Sequence, residues 1–386
     1  MSWLLYGAYG FTGRLLAEEA VRRGHRPILA GRDGERLRAL AHELQCPHRV
    51  FPLDDPFRLE VGLRGVRAVL HAAGPFMETS PPMLAACLAV GAHYLDITGE
   101  VPVFEAAFRH DARAREEGLI VMPGVGLDVV PTDAAAALLH RALPSACRLE
   151  LALHSPGRPS TGTLETVVEG IPGGLLVRRD GELRSARPGS RRFRREVDFG
   201  PDRTTGPMAG LLGGRRSVLP ATWGDLATAW RTTGIPEITC YLTAPRRQVQ
   251  LLPVALPLLR GALKVGPLRR LVRWRVARSG GGPDAPTRAG GRTRVWGRVE
   301  DEAGRWAEVI LELPEGYRFT ALAGIRALER VLELAAGGGP GPVPAGVLTP
   351  AGALGPEWVL GLPEVEVIRE PQVVSPGEGE EGPAAG

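Results

Sequence analysis

Three glycines near the N-terminus, Gly7, Gly10 and Gly13, are separated from one another by two residues. They follow the apolar run Trp3–Leu5 and open directly into a segment with helical periodicity. In such a strand–turn–helix unit, the first glycine permits a tight turn, the second lets backbone approach a phosphate, and the third allows close helix packing. The unpaired N–H groups of the helix then face the anion. We therefore predict a dinucleotide-binding turn made of Gly7, Ala8, Tyr9, Gly10, Phe11, Thr12 and Gly13.

Arg32 follows the second predicted strand, which ends at Gly31. An acidic residue at this position would accept hydrogen bonds from the adenine ribose of NAD. A guanidinium instead binds the 2′-phosphate of NADP through paired, charge-assisted hydrogen bonds. Asp33, the next residue, serves either a ribose hydroxyl or the N-cap of the following helix. The residues Gly31 and Arg32 therefore favour NADP as the cofactor.

Small residues close the fourth predicted strand at Ala73, Gly74 and Pro75. Ligands of open α/β sheets bind beyond the carboxyl ends of the strands. We therefore expect the backbone of these three residues to lie beside the ribose and the nicotinamide, although a plain turn is the alternative.

Four polar residues follow the fifth and sixth predicted strands and are our candidates for catalysis. Carboxylates at this edge become general acids or bases when burial raises their pKa values towards neutrality. Helix capping or hinge rigidity is the structural alternative for each of them. The candidates for supplying a proton or fixing the substrate are Tyr94, Asp96, Glu100 and Asp128.

Strand-like and helical segments alternate as far as Gly124, which indicates a doubly wound parallel sheet of the Rossmann type. From about residue 148, alternating strands indicate a second α+β domain with a mixed or antiparallel sheet. We predict four parts: an NADP-binding domain at 1–125, a substrate and oligomerisation domain at 126–316, a C-terminal segment returning to the first domain at 317–372, and a disordered tail at 373–386.

Composition excludes several classes of protein. The net charge of +4 comes from 47 basic and 43 acidic residues, which is too mild for nucleic acid binding. The four cysteines are far apart and the histidines form no metal motif, so we expect no metal, no disulfides and a cytoplasmic location. A short-chain dehydrogenase Tyr-x-x-x-Lys pair is absent, because Arg260 stands four residues before Lys264, the only lysine.

The segment 249–276 is rich in Leu and Val and contains a cluster of arginines. One interpretation is an amphipathic element that touches a membrane surface or receives an apolar substrate. The other is a core or oligomer-interface helix with a solvated basic face, and we expect a homodimer.

Taken in order, the motifs resemble those of the saccharopine dehydrogenase-like oxidoreductases, in the branch of the trans-acting enoyl reductases of lipid biosynthesis. The resemblance spans most of the chain but is poor at about 155–235, and His71 replaces an expected small polar residue. The matching segments are 6–13, 29–32, 73–76, 94–100, 126–133, 314–321 and 346–351.

This resemblance implies an enzyme that uses NADPH as hydride donor in a cleft between two domains. The acceptor would be a C=C bond of an enoyl group or a C=N bond, in a small or lipid-like substrate. The alternative is a redox-inactive NADP-binding scaffold or sensor, because no unambiguous catalytic pair stands out in the sequence.

The assignment of Arg32 is testable by substitution. Arg32→Asp removes the guanidinium and places a repelling charge beside the 2′-phosphate, so NADPH binding should weaken much more than NADH binding. Dissociation constants measured by fluorescence titration check this, and equal affinity of the unaltered protein for both dinucleotides would contradict the assignment.

Overall fold

The computed structural model describes six ranges of the chain, 2–157, 173–187, 196–204, 208–247, 281–338 and 344–376, and the single positions 160, 190, 193, 194, 249, 251, 261, 266, 268, 270, 272 and 275. These residues form two β-sheets with helices packed on them. The statements below refer to this part of the chain.

The first sheet consists of seven strands, and all neighbouring strands in it run parallel. They are β1 (Trp3–Tyr6), β2 (Ile28–Gly31), β3 (His48–Val50), β4 (Ala68–His71), β5 (His93–Asp96), β6 (Ile120–Met122) and β15 (Gly346–Val347). Their order across the sheet is β15-β6-β5-β4-β1-β2-β3. Strands β1, β2, β4 and β5 are buried along their whole length, as is typical of parallel strands covered on both faces.

Six helices connect the strands of this sheet. They are α1 (Phe11–Arg22), α2 (Gly34–Leu44), α3 (Pro56–Leu63), α4 (Phe76–Val90), α5 (Val101–Phe108) and α6 (Asp111–Glu116). Helix α1 buries Gly13, Leu16, Ala17 and Ala20, which share one face at helical spacing. The small residues on this face let the helix pack closely against the strands.

Helix α4 begins seven residues earlier than the sequence pattern predicts. The sequence pattern predicts a helix only over Met83–Val90, after Pro81 and Pro82. In the structure both prolines lie inside the helix, which begins at Phe76. Its first N–H groups are satisfied by a side chain from the loop after β5, so distant contacts stabilise a start that local sequence disfavours.

The second sheet is mixed, because β7 runs parallel to β12 and antiparallel to β13. Its strands are β7 (Arg148–His154), β8 (Leu175–Arg179), β9 (Glu182–Ala186), β10 (Glu196–Asp198), β11 (Arg215–Ala221), β12 (Glu237–Thr243), β13 (Arg292–Glu300), β14 (Trp306–Pro314) and β16 (Glu366–Arg369). Their main order is β10-β11-β12-β7-β13-β14-β16; off this path, β8 pairs with β12, and β9 pairs with β8. The predicted fold class, a Rossmann sheet followed by a mixed α+β domain, is confirmed.

Six further helices follow β6: α7 (Val130–Ala142), α8 (Asp225–Thr233), α9 (Ala285–Gly290), α10 (Gly316–Ala335), α11 (Pro350–Leu354) and α12 (Pro356–Leu360). The Gly/Pro-rich composition of 279–291 predicts a loop, but helix α9 lies there. Asp284 caps this helix by accepting a hydrogen bond from the N–H of Thr287. Helix α10 packs on α1, and a Cβ atom at Gly324 would come within 2.9 Å of Leu16.

The end of the chain contributes to both sheets. Within the predicted segment 317–372, β15 extends the first sheet beside β6, whereas β16 pairs with β14 of the second sheet. The buried carboxylate of Asp133 on α7 accepts hydrogen bonds from the Thr232 hydroxyl (2.6 Å) and from the Ala351 N–H (2.8 Å). Asp133 thereby joins three helices that are far apart in sequence.

The two domains meet at the start of α10. A Cβ atom at Gly316 would lie 2.6 Å from Leu127, which follows β6, and 3.4 Å from Ser155, which follows β7. The Thr320 hydroxyl accepts a hydrogen bond from the N–H of Leu127 at 3.0 Å. The carboxyl edge of the first sheet therefore faces the end of the second sheet, with α10 between them.

Two of the sequence predictions fall largely outside the described residues. Only eight positions of the segment 249–276 are described, and residues 377–386 of the predicted tail are not. Earlier in the tail, Val374 forms an antiparallel bridge with Trp306.

Candidate functional site

The glycine turn after β1 leaves no room for side chains. Gly7 has φ of +83°, which L-residues rarely adopt, and a Cβ atom there would lie 2.8 Å from the Cβ atom of Ala73. A Cβ atom at Gly13 would overlap the carbonyl oxygen of Gly7. The N–H of Gly10 donates to that same oxygen at 2.9 Å. The first and third glycines of the predicted motif thus have the steric roles that the motif requires.

The N-terminus of α1 is suited to an anion. Gly10 occupies its N-cap without a side-chain hydrogen bond, and the first turn contains no acidic residue. The first N–H groups of a helix have no acceptor within the helix, and they carry the positive end of its dipole. Phe11, Thr12 and Gly13 supply these groups, and they fit a dinucleotide pyrophosphate.

At the end of β2, Arg32 is exposed and makes no hydrogen bond or ion pair with a described residue. Asp33 is engaged as the N-cap of α2, where its carboxylate accepts hydrogen bonds from the N–H groups of Glu35 and Arg36, both at 3.1 Å. The ring of Tyr9 covers Gly31 so closely that a Cβ atom there would overlap it. Capping by Asp33 leaves Arg32 as the charged side chain open to a ligand at this strand end.

The turn of Ala73, Gly74 and Pro75 is held from beneath by Thr79. Its hydroxyl lies 2.6 Å from the carbonyl oxygen of Ala73, 3.0 Å from that of Pro75 and 3.1 Å from Nε2 of His71. The bond between Gly74 and Pro75 is cis. This rigid turn packs against Gly7, beside the dinucleotide loop.

Glu100 anchors the same turn from the other side. Its two carboxylate oxygens accept hydrogen bonds from the N–H groups of Phe76 (3.1 Å) and Met77 (2.9 Å) at the start of α4. A carboxylate at a helix N-terminus is favoured by both the free N–H groups and the helix dipole. We assign Glu100 the capping role that was the structural alternative in the sequence.

Tyr94 and Asp96 form a buried hydrogen-bond network with Ser80 of α4. The Tyr94 hydroxyl donates to Asp96 Oδ2 at 2.7 Å, and the Ser80 hydroxyl donates to the same oxygen at 3.1 Å. Asp96 Oδ1 accepts from the N–H groups of Thr98 (3.0 Å) and Gly124 (2.9 Å). Burial raises the pKa of Asp96 while these bonds oppose the rise. Through these four bonds the carboxylate links the end of β5 to α4 and to the loop after β6.

Asp128 differs from the other three candidates. It is half-buried, and no described residue donates a hydrogen bond to its carboxylate. Oδ2 lies so close to Gly99 that a Cβ atom there would be 2.9 Å away. Burial, and then the charge of Glu100, raise the pKa of Asp128 to about 6. This group can exchange a proton near neutral pH, as a general acid requires.

The second domain covers the glycine turn with residues that our sequence predictions did not include. The Tyr317 ring meets Phe11 edge-on with centroids 5.0 Å apart, and its hydroxyl accepts from the N–H of Ser160 at 2.5 Å. Gly282 also packs against the Phe11 ring, since a Cβ atom there would lie 2.5 Å from the ring's Cζ atom. Tyr317 stands in the segment 314–321 that carried the family resemblance, so the signal was present in the sequence.

These features define the class of protein, a two-domain α/β protein with a dinucleotide site at the carboxyl edge of a Rossmann sheet. Residues 3–122 match the family model described as the saccharopine dehydrogenase NADP binding domain. The N-terminal domain is therefore similar to the NADP-binding domain of saccharopine dehydrogenases. This confirms the predicted resemblance and the nicotinamide cofactor, and it connects the chain with oxidoreductases.

The chain is also similar in sequence to curated proteins named trans-acting enoyl reductases. The trans-acting enoyl reductase of Mycobacterium tuberculosis is 33% identical over 146 residues, and that of Mycobacterium leprae is 34% identical over 146 residues. Each match covers 36% of this chain and 35% of the relative, so it spans about a third of either protein.

A solved structure matches the fold over nearly the whole chain. It is the apo histidine-tagged saccharopine dehydrogenase (L-Glu forming) from Saccharomyces cerevisiae, with a TM-score of 0.56 and 13% sequence identity. The match covers 95% of this chain and 100% of that one. At this identity the similarity concerns the fold alone.

No cluster of three or more His, Cys, Asp or Glu side chains in the described part of the chain is arranged to hold a metal ion. Nor does this part contain a helix with the length and apolarity needed to cross a bilayer.

The network around Asp96 predicts a structural role for Tyr94. Tyr94→Phe removes the hydrogen bond to Asp96 and should lower the free energy of unfolding by about 1–3 kcal/mol, without changing NADPH affinity by more than about twofold. Denaturant unfolding and dinucleotide titration check this. Tyr241→Phe is the control, because it removes a Tyr–Glu150 bond of the second sheet. Unchanged stability with lost turnover would contradict a purely structural role.

Proposed function

We propose that this protein is an NADPH-dependent reductase of a polarised C=C bond, as in an enoyl thioester, and that Asp128 donates the proton. The observation that carries the proposal is the Asp128 carboxyl group, which has a pKa near 6 and no hydrogen bond from a described residue. It lies at the strand edge where such folds bind their ligands. The similarity to relatives named trans-acting enoyl reductases supports the choice of bond.

Two segments of the chain would bind the dinucleotide. The free N–H groups at the start of α1 would hold the pyrophosphate, and the turn Ala73–Pro75 would support the ribose and nicotinamide. When bound, NADPH supplies a hydride to the β-carbon of the enoyl group. Glu100 and Thr79 keep the turn in place, so the supporting surface is rigid before the ligand arrives.

Addition of a hydride to the β-carbon places negative charge on the α-carbon and the adjacent carbonyl. Protonated Asp128 donates its proton to the α-carbon, the double bond becomes single, and the carboxylate regains a proton from solvent. A group with a pKa near the working pH is suited to both halves of this cycle. Asp96 accepts a hydrogen bond from the N–H of Gly124. It is therefore a positioning residue for the loop that carries Asp128.

An apolar, lipid-like substrate is consistent with the rim of the site. Met77 is 50% exposed, although its N–H is bound to Glu100 at the start of α4. Its thioether side chain is flexible and suited to contact with an acyl chain. A role in lipid biosynthesis, a cytoplasmic location, a homodimer and membrane contact through 249–276 remain part of this proposal.

Substitution of Asp128 tests the proposal. Asp128→Asn should lower kcat for enoyl reduction by about 10²–10⁴-fold, because the amide cannot donate the proton, while NADPH affinity changes little. In the unaltered protein kcat should fall as pH rises through about 6, since the acid is then deprotonated. Steady-state kinetics from pH 5 to pH 9 would measure both effects.

Glu100→Gln is the matched control for the pH dependence. It retains an acceptor for the start of α4 but removes the charge that raises the pKa of Asp128, so the midpoint should move to lower pH. The substrate panel contains enoyl thioesters, imines and keto acids. Reduction of imines alone would contradict the C=C assignment, and NADPH binding without turnover of any class would favour the redox-inactive sensor.

A further inference from the structure

Arg36 reaches from the first turn of α2 to the glycine turn. Its Nη2 atom donates to the carbonyl oxygen of Tyr9 at 3.3 Å, and its guanidinium carbon lies 4.8 Å from the centre of the Tyr9 ring. Guanidinium groups at such distances are attracted to an aromatic face. Arg36 is nevertheless exposed, so the remaining N–H groups of its planar fork are open to a ligand.

The Tyr9 ring that supports Arg36 is itself fixed. It covers Gly31 at the end of β2, where no larger residue would fit beneath it. Its hydroxyl accepts a hydrogen bond from the N–H of Asp33 at 3.2 Å. Tyr9 therefore joins the glycine turn to the loop between β2 and α2, and holds the Arg36 guanidinium between these two segments.

Within the described part of the chain, no carboxylate pairs with the two guanidinium groups at this point. Arg32 and Arg36 stand four residues apart, and neither forms an ion pair with a carboxylate of a described residue. Asp33, next to Arg32, accepts hydrogen bonds from the helix N–H groups, and Glu35, next to Arg36, forms no ion pair with a described residue.

We propose that Arg36 is a second ligand of the 2′-phosphate of NADP, and that Tyr9 holds its guanidinium in the binding position. The proposal rests on the NADP preference assigned above, and adds to Arg32 a residue that the sequence did not single out. A phosphate monoester carries close to two negative charges at neutral pH, so two guanidinium groups match its charge. The planar fork of each one also fits the phosphate oxygens.

The test measures binding and needs no substrate. NADPH, NADH, 2′,5′-ADP and 5′-AMP are titrated against the full chain by calorimetry, which isolates the contribution of the 2′-phosphate. Arg36→Gln should raise the dissociation constants of NADPH and 2′,5′-ADP roughly tenfold or more, and those of NADH and 5′-AMP by less than about twofold. Arg36→Lys keeps the charge but loses the planar fork, so it should raise the dissociation constants of NADPH and 2′,5′-ADP by less than Arg36→Gln does.

Arg22→Gln is the matched control. It removes one positive charge from the same domain, at the far end of α1, and should leave all four dissociation constants unchanged. An equal loss for all four ligands on Arg36→Gln would show that Arg36 only supports the turn, and would overturn the inference. No loss for any ligand would overturn it as well.

The result also separates this inference from the proposed function. If the unaltered protein binds NADH as tightly as NADPH, both the NADP preference and the role of Arg36 fail. If NADPH is preferred and Arg36→Gln keeps that preference, the role of Arg36 fails alone. If the expected pattern appears although no enoyl substrate is reduced, Arg36 is supported and the proposed reaction fails.

Discussion

At Gly7, backbone from three parts of the first domain approaches so closely that a methyl group would not fit. The carbonyl oxygen of Gly7 accepts a hydrogen bond from the N–H of Gly10 and lies against Gly13. Ala73 packs against the α-carbon of Gly7. This contact fixes how far α1 stands from the sheet and where its free N–H groups point. It also fixes the turn after β4 relative to the same point, so both walls of the dinucleotide site depend on it.

The polar residues around this contact have separate tasks. Asp96 and Glu100 use both carboxylate oxygens on backbone N–H groups or hydroxyls, and these bonds hold the loops that form the rim. Asp128 receives no such bond from a described residue, and its raised pKa reflects burial beside Glu100. The proposed proton donor thus stands among carboxylates that are fully engaged in holding the loops, and such supporting contacts keep a site preorganised.

The sequence predicted those parts of the molecule that local pattern determines. The strand–glycine–helix unit and the alternation up to Gly124 have short-range signals, so the Rossmann sheet was predictable. The start of α4 was not, because it depends on Glu100, which lies 24 residues from Phe76. The four catalytic candidates could not be ranked, since burial and hydrogen-bond partners separate Asp128 from Asp96. Arg36 was missed because its contact with Tyr9 spans 27 residues and two elements.

In the proposed reaction, the bound NADPH would transfer a hydride to the β-carbon of an enoyl group. The most direct measurement uses NADPH deuterated at both C4 positions, in ordinary water, with an enoyl thioester as acceptor and mass and NMR analysis of the product. Hydride transfer from NADPH should give one deuterium per product molecule, at the β-carbon. The α-carbon should carry none, because it receives its proton from Asp128. A bound but unreacted cofactor, or a reduced product without deuterium, would contradict the proposed reaction.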